Sequence, residues 1–267
     1  MIASFFTNDA AFLSLTAELA KGGARAYAPS FLQGALLASV REELWVEEVL
    51  LLVAPGPAEA SKLADDLAAY AGAVPVRLLP ARGAALGSRL IPSCQAIGLR
   101  HAALAGLGGG EPCFVVADVT ALQERGLDPG LWPAPLTVGR DSAPGFDTVV
   151  ELLAGLGYER VQQVEDRGQF AVRGGIIDFF PSTGLSPVRL EYWGDEFDSL
   201  RRFSPYTQCS LLEEDSVTIY AAAEPFGMVI AGMPDAVAKQ KPGVGRMSGS
   251  GAAANVGRMS GSGAAAN

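Results

Sequence analysis

One histidine and three cysteines are all the imidazole and thiolate ligands that the 267 residues offer, and this scarcity works against most metal centres. His101 is the sole histidine, and Cys94 and Cys113 stand at spacings unlike those of a zinc site. The default for His101 is therefore a helix surface or a half-buried position. Cys94, Cys113 and Cys209 are scattered and odd in number, which is no disulfide framework. A Ser or Cys nucleophile would need His101 or a lysine as its base, and no pattern directs one there. Long apolar runs are missing too: no stretch nears the roughly 20 residues of a membrane span. The opening MIASFFTNDA lacks the basic and apolar regions of a signal peptide, so a cytoplasmic address with no membrane partner is expected.

Positive charge is also scarce. There are 20 basic against 29 acidic residues, a formal net charge of −9. Residues 241–267 add only Lys241, Arg246 and Arg258 and no acid, so the rest of the chain carries 17 basic against 29 acidic groups. Duplex affinity rests on clustered Lys and Arg neutralising phosphates, so a dedicated DNA-binding surface is not expected. A small local basic face remains compatible with this charge.

What is present fits a globular chain, with 49% hydrophobic and 18% charged residues. The length suffices for one large domain or two small ones. Residues 1–128 alternate helix and strand patterns. Helices are expected at Ala11–Leu19, Leu32–Val46, Ala58–Tyr70 and Cys94–Leu107. Strands are expected at Ala26–Ala28, Val49–Val53, Val76–Leu79 and Cys113–Ala117. Such alternation argues for a parallel α/β sheet. Asp128–Pro144 is rich in Pro and Gly and reads as a linker or domain change. Beyond it, a helix over Phe146–Leu156 closed by Gly157 precedes short strands at 159–163, 169–172, 175–180, 188–193, 197–203 and 217–220. One helix against mostly antiparallel strands makes a small α+β domain. VGRMSGSGAAAN at 244–255 is repeated letter for letter at 256–267, and its small residues have little to bury, which predicts a flexible tail.

Two glycine patterns fail as nucleotide sites. A phosphate-cradling loop needs a Lys for the terminal phosphates and a hydroxyl for magnesium after its last glycine. At the expected place the chain reads Gly34-Ala35-Leu36, with neither. Gly106-Leu107-Gly108-Gly109-Gly110 precedes a strand instead of joining a strand to a helix, so its amides would not face a pyrophosphate. The acids at 213–215 and 195–196 read as solvated turns.

One strand points further. Val188-Arg189-Leu190-Glu191-Tyr192-Trp193 alternates with period two, so Val188, Leu190 and Tyr192 make a core face. Arg189, Glu191 and Trp193 then share the opposite face. Arg and Trp on an open sheet face are enriched in binding hot spots, whereas the ordinary alternative packs Trp193 under a loop and pairs Arg189 with Glu191 or a neighbouring strand. Arg173 lies off the face of Phe170 and Val172, just before Gly174-Gly175, which mark a bulge or a close backbone approach.

Residues 157–214 resemble the domain shared by the repair helicase subunit UvrB and the transcription-repair coupling factors. The pieces GY-x-R-V, FAVRGGIIDFFP, PVRLEYWGDEFDSLR and TQ-x-S follow that pattern in order and spacing. In that family the domain binds UvrA. The resemblance puts the family's two binding arginines on Arg173 and Arg189 and its aromatic contact on Trp193, where phenylalanine is usual. Residues 1–128 resemble the family's first UvrB-like α/β domain, with a degenerate nucleotide loop at Gly34, Ala35 and Leu36. UvrB keeps a working loop and coupling factors lose it, which favours a coupling factor. Residues 80–100 show no counterpart of UvrB's aromatic-rich DNA-clamping hairpin.

The resemblance implies an incomplete UvrB-like α/β domain (1–128), a UvrA-interaction α+β domain (129–222) and a tail (223–267). It implies docking of UvrA to recruit nucleotide excision repair to stalled transcription, with no cofactor, ATPase or translocase motor in this chain. RNA polymerase and DNA would be reached only through regions absent here. The alternatives are a UvrB-like nucleotide- or DNA-handling subunit and a degenerate, truncated relic.

Overall fold

The computed structural model describes residues 6, 8–84, 91–124, 129–140 and 142–225. The duplicated unit and residues 85–90 lie outside them. A three-stranded sheet comes first. Strands β1 (Val49–Ala54) and β2 (Val76–Leu79) flank β3 (Cys113–Asp118), and both pair with it in parallel. All six residues of β3 are buried, as its unbroken apolar run requires of a strand covered on both faces. Phe114 and Val116 pack with Leu67 and Ala60 of helix α3 (Pro57–Tyr70), while Cys113, Val115 and Ala117 face Ala103 of α4 (Cys94–Gly109). Pro57 supplies the fixed φ that suits a first helical turn. Ser93 caps α4 by accepting from the Ala96 amide at 3.1 Å, and Gly110 ends it in the left-handed region at φ +68°.

Helix α1 (Ala10–Leu19) starts at Asp9, whose Oδ1 accepts from the amides of Ala11 and Phe12, each at 2.9 Å. Ala26–Ala28, expected as a strand, has no regular secondary structure and pairs with no strand among the described residues. Tyr27 there is 95% exposed, and a short segment without a ladder partner is not a strand. Helix α2 (Ser30–Leu44) follows and packs on α3.

The second sheet has six strands in the order β10-β9-β8-β7-β6-β5. They are β5 (Glu159–Arg160), β6 (Gln169–Arg173), β7 (Ile176–Phe179), β8 (Val188–Trp193), β9 (Glu196–Phe203) and β10 (Ser210–Glu213). Every neighbouring pair is antiparallel except β5 with β6. Gly174-Gly175 is the two-residue turn between β6 and β7, not a break within one strand: Arg173 faces Ile176 across it and Gly174 has φ +59°. The approach expected there is real, since a Cβ on Gly175 would meet the Tyr192 carbonyl oxygen at 2.4 Å.

Phe170, Ile177, Phe179, Leu190, Tyr192 and Leu200 form one face of this sheet. They pack against Val149 and Leu153 of α6 (Phe146–Gly155), the helix that follows the short α5 (Val119–Gln123). Burying a side chain such as Leu190 contributes about 2 kcal/mol. Phe197 and Leu200 both lean on this core although three residues apart. A bulge reconciles them: Glu191 pairs with Ser199 but Tyr192 with Phe197, leaving Asp198 as the extra residue.

Leu136–Gly139, read from the sequence as linker, is a strand (β4) paired with β11 (Ser216–Ile219). Its partner lies some 80 residues away, out of reach of local pattern. The two parts of the chain touch through buried polar contacts. Arg82 donates to both carboxylate oxygens of Glu224 at 2.6 Å. His101 of α4 meets the Ala221 amide and the Pro133 carbonyl, each at 2.8 Å, and stacks on Trp132 at 5.0 Å between centroids.

Candidate functional site

The face of the second sheet turned away from α6 is built on a lateral row of paired residues. Ala171 on β6 stands opposite Asp178 on β7, Asp178 opposite Arg189 on β8, Arg189 opposite Arg201 on β9, and Arg201 opposite Glu213 on β10. Period two puts them all on one side. The alternation expected for β8 is present: Val188, Leu190 and Tyr192 are buried, Arg189 and Glu191 half-buried, and Trp193 exposed.

Asp178 organises this face. Its carboxylate is only 1% exposed, inside the apolar run Ile176-Ile177-Asp178-Phe179-Phe180. Oδ1 accepts from Arg189 Nε at 2.7 Å, and Oδ2 accepts from Arg189 Nη2 at 2.9 Å and Arg173 Nη2 at 3.0 Å. A buried carboxylate without such partners would be costly, so the two arginines answer a need of the fold as well as facing outward. The Arg189 guanidinium also lies 4.8 Å from the centre of the Phe203 ring, part of a small apolar cluster with Val164, Ala171 and Phe180. Its pKa is raised, first by the Asp178 hydrogen bonds and against the opposing effect of burial, so its charge is secure.

The side chains of Arg189 and Arg173 are 17% and 52% exposed, and Trp193 is 87% exposed at the end of β8, just before the Gly194 turn. The structure thus brings Arg173 and Arg189 onto one carboxylate and leaves the Trp193 indole in solvent rather than under a loop. Of the pairings considered for Arg189, the neighbouring strand supplies the partner. Glu191 instead accepts from Ser199 Oγ at 2.9 Å.

Asp178 and Arg201 escaped the sequence reading. The signal for Asp178 was there: an acid inside an apolar strand demands a cation across the ladder. Glu213 is solvated as expected, its side chain 70% exposed, but neither it nor the half-buried Glu214 is without a partner. Glu213 lies on β10 and pairs with Arg201 at 3.4 Å, while Glu214 pairs with Arg202.

Gly34, Ala35 and Leu36 sit inside α2 rather than on a loop. A Cβ on Gly34 would come within 2.9 Å of the Asp66 backbone of α3, so close helix packing accounts for this glycine. Gly106, Gly108 and Gly109 likewise lie in α4. Far from being a helix-surface residue, His101 is 1% exposed, and no group of three or more His, Cys, Asp or Glu is placed to hold a metal among the described residues. No helix among them is long and apolar enough to cross a membrane.

Comparison with known proteins bears on this face directly. Residues 136–224 match the UvrB interaction domain. A transcription-repair-coupling factor of Mycobacterium bovis is 40% identical over 183 residues, covering 65% of this chain and 15% of that protein. That of Bacillus subtilis is 32% identical over 169 residues, 62% of this chain and 14% of its own length. The UvrABC system protein B of Methanothermobacter thermautotrophicus is 36% identical over 126 residues, 46% of this chain and 19% of that protein. The chain therefore spans less than a fifth of each of these three relatives. Arg173, Asp178, Arg189 and Trp193 all fall inside the matched domain, and the chain is a relative of the transcription-repair-coupling factors that carries a UvrB interaction domain at residues 136–224.

Proposed function

We propose that this chain is a docking module for UvrA and that Arg173, Arg189 and Trp193 form the contact. In this reading the chain divides near residue 128 into a UvrB-like α/β part and the docking domain. The observation that carries the reading is the pair of arginines held on Asp178 beside an exposed indole, within the segment that matches the UvrB interaction domain. Charge-assisted bonds from guanidiniums to partner carboxylates are short and directional, and their desolvation at an interface makes them selective. The indole adds contact area that a neighbouring charge alone does not. Within a longer coupling factor such docking would bring nucleotide excision repair to stalled transcription, with RNA polymerase and DNA engaged by other regions.

Calorimetric titration into purified UvrA tests the reading. Arg173→Ala and Trp193→Ala are the informative variants, because both side chains are exposed and their loss leaves the sheet intact. Binding by the parent that weakens at least tenfold in each supports the docking role. Equal affinity in all three removes it.

A further inference from the structure

Two guanidiniums share one buried carboxylate, and the imbalance has a direction. Asp178 gives its two oxygens to three N–H groups of Arg189 and Arg173, so donors outnumber acceptors in the cluster. Glu191, on the same face of β8, acts on Arg189 through its charge, but it accepts its hydrogen bond from Ser199 and none from either arginine. Arg189 spends Nε and Nη2 on Asp178, and the Phe203 ring lies against its guanidinium. Arg173 spends only Nη2. Nη1 of Arg189, with Nε and Nη1 of Arg173, hydrogen-bonds to nothing else among the described residues. A free arginine samples many rotamers, and ordering it on binding weakens association; one already ordered avoids that loss.

We infer that Asp178 is a positioning residue of the docking face: it fixes Arg173 and Arg189 side by side so that their unused N–H edges form one seat for a single aspartate or glutamate side chain of the partner. The inference rests on the docking reading above and names the chemistry at its centre. The excess of donors asks for one carboxylate. The fork geometry of two guanidiniums suits the two oxygens of that group better than a single acceptor. A lysine in place of Arg173 keeps the charge but cannot bond Asp178 and present a planar edge at once.

The test combines two measurements on the whole chain. In the free protein, NMR of the arginine Nε–H groups reads whether Arg189 is held. A slowly exchanging Arg189 signal that broadens or vanishes in Asp178→Asn is expected, and an unchanged signal overturns the positioning role. Titration into purified UvrA is then run for the parent, Asp178→Asn and Arg173→Lys. At least tenfold weaker binding by both variants, with melting curves that remain cooperative, is the expected result. Should Asp178→Asn fail to fold, Arg173→Lys carries the test, since its side chain is half in solvent. A parent that binds while the folded variants bind within twofold of it overturns the positioning role alone. A parent that does not bind overturns the docking reading.

Discussion

Asp178 and Arg189 stand directly opposite each other on β7 and β8, and the buried carboxylate of the first accepts two hydrogen bonds from the guanidinium of the second, at 2.7 and 2.9 Å. The pair is structural before it is functional. Removing the carboxylate in Asp178→Ala strands a mostly buried cation, and breaking such a pair costs about 3–5 kcal/mol. Arg173→Ala removes a half-exposed partner and is expected to cost less than about 1 kcal/mol. Urea unfolding of the two variants checks the contrast; similar losses for both would contradict it.

Trp193 carries no comparable structural burden. With its side chain in solvent beyond the last core residue of β8, Trp193→Ala is expected to change stability by no more than about 0.5 kcal/mol. Its effect should fall on partner affinity, at about 2 kcal/mol or more for a hot-spot aromatic. Trp193→Phe, which keeps an aromatic ring at this position, should keep most of the affinity. A melting temperature lowered by several degrees in Trp193→Ala would mean the indole packs after all.

Acid should loosen the joint around His101. Its Nδ1 accepts from the Ala221 amide, so the proton sits on Nε2, which donates to the Pro133 carbonyl. Burial lowers its pKa from 6.5 to about 4, with the Pro133 hydrogen bond opposing in part. Between these values the unfolded chain binds the proton and the folded chain does not. This contribution to stability is whole above about pH 6.5, falls as the pH drops toward 4, and is flat below that. A shift of this size corresponds to about 3 kcal/mol. Urea midpoints of the parent should therefore fall more steeply over that window than those of His101→Gln. Parallel pH profiles would contradict it.

Nucleotide should do nothing at Gly34-Ala35-Leu36. The segment is helical, and its glycine admits the Asp66 backbone rather than a phosphate. Magnesium-ATP is expected to leave the melting temperature unchanged, because a ligand stabilises only through binding to the folded state. Gly34→Val should cost about 1–3 kcal/mol by overpacking the contact between α2 and α3. A nucleotide-dependent rise in melting temperature would restore the enzymatic alternative.

Much of this was legible in the residues, for reasons that differ from place to place. The β8 alternation declares its buried and open faces because period two is a local property, and the unbroken apolar run of β3 declares a strand covered on both sides. What escaped was non-local. Leu136–Gly139 becomes a strand only because Ser216–Ile219 returns to pair with it, and Ala26–Ala28 stays unpaired because no ladder reaches it. Asp178 was visible as an acid among apolar neighbours, but its choice of Arg189 and Arg173 depends on a register that no single strand encodes. Arg173 and Arg189 stand out through strand alternation and the glycine pair, and family resemblance gives them a partner; what holds them together is not legible.

The central claim is that the Asp178-held arginines and Trp193 dock UvrA, and calorimetric titration of the chain into purified UvrA, beside an Arg173→Ala/Trp193→Ala version, tests it most directly. The parent is expected to bind with micromolar or tighter affinity and the double variant at least a hundredfold more weakly, with both proteins unfolding cooperatively at similar temperatures. A folded parent that does not bind, or a double variant that binds as well as the parent, would contradict it.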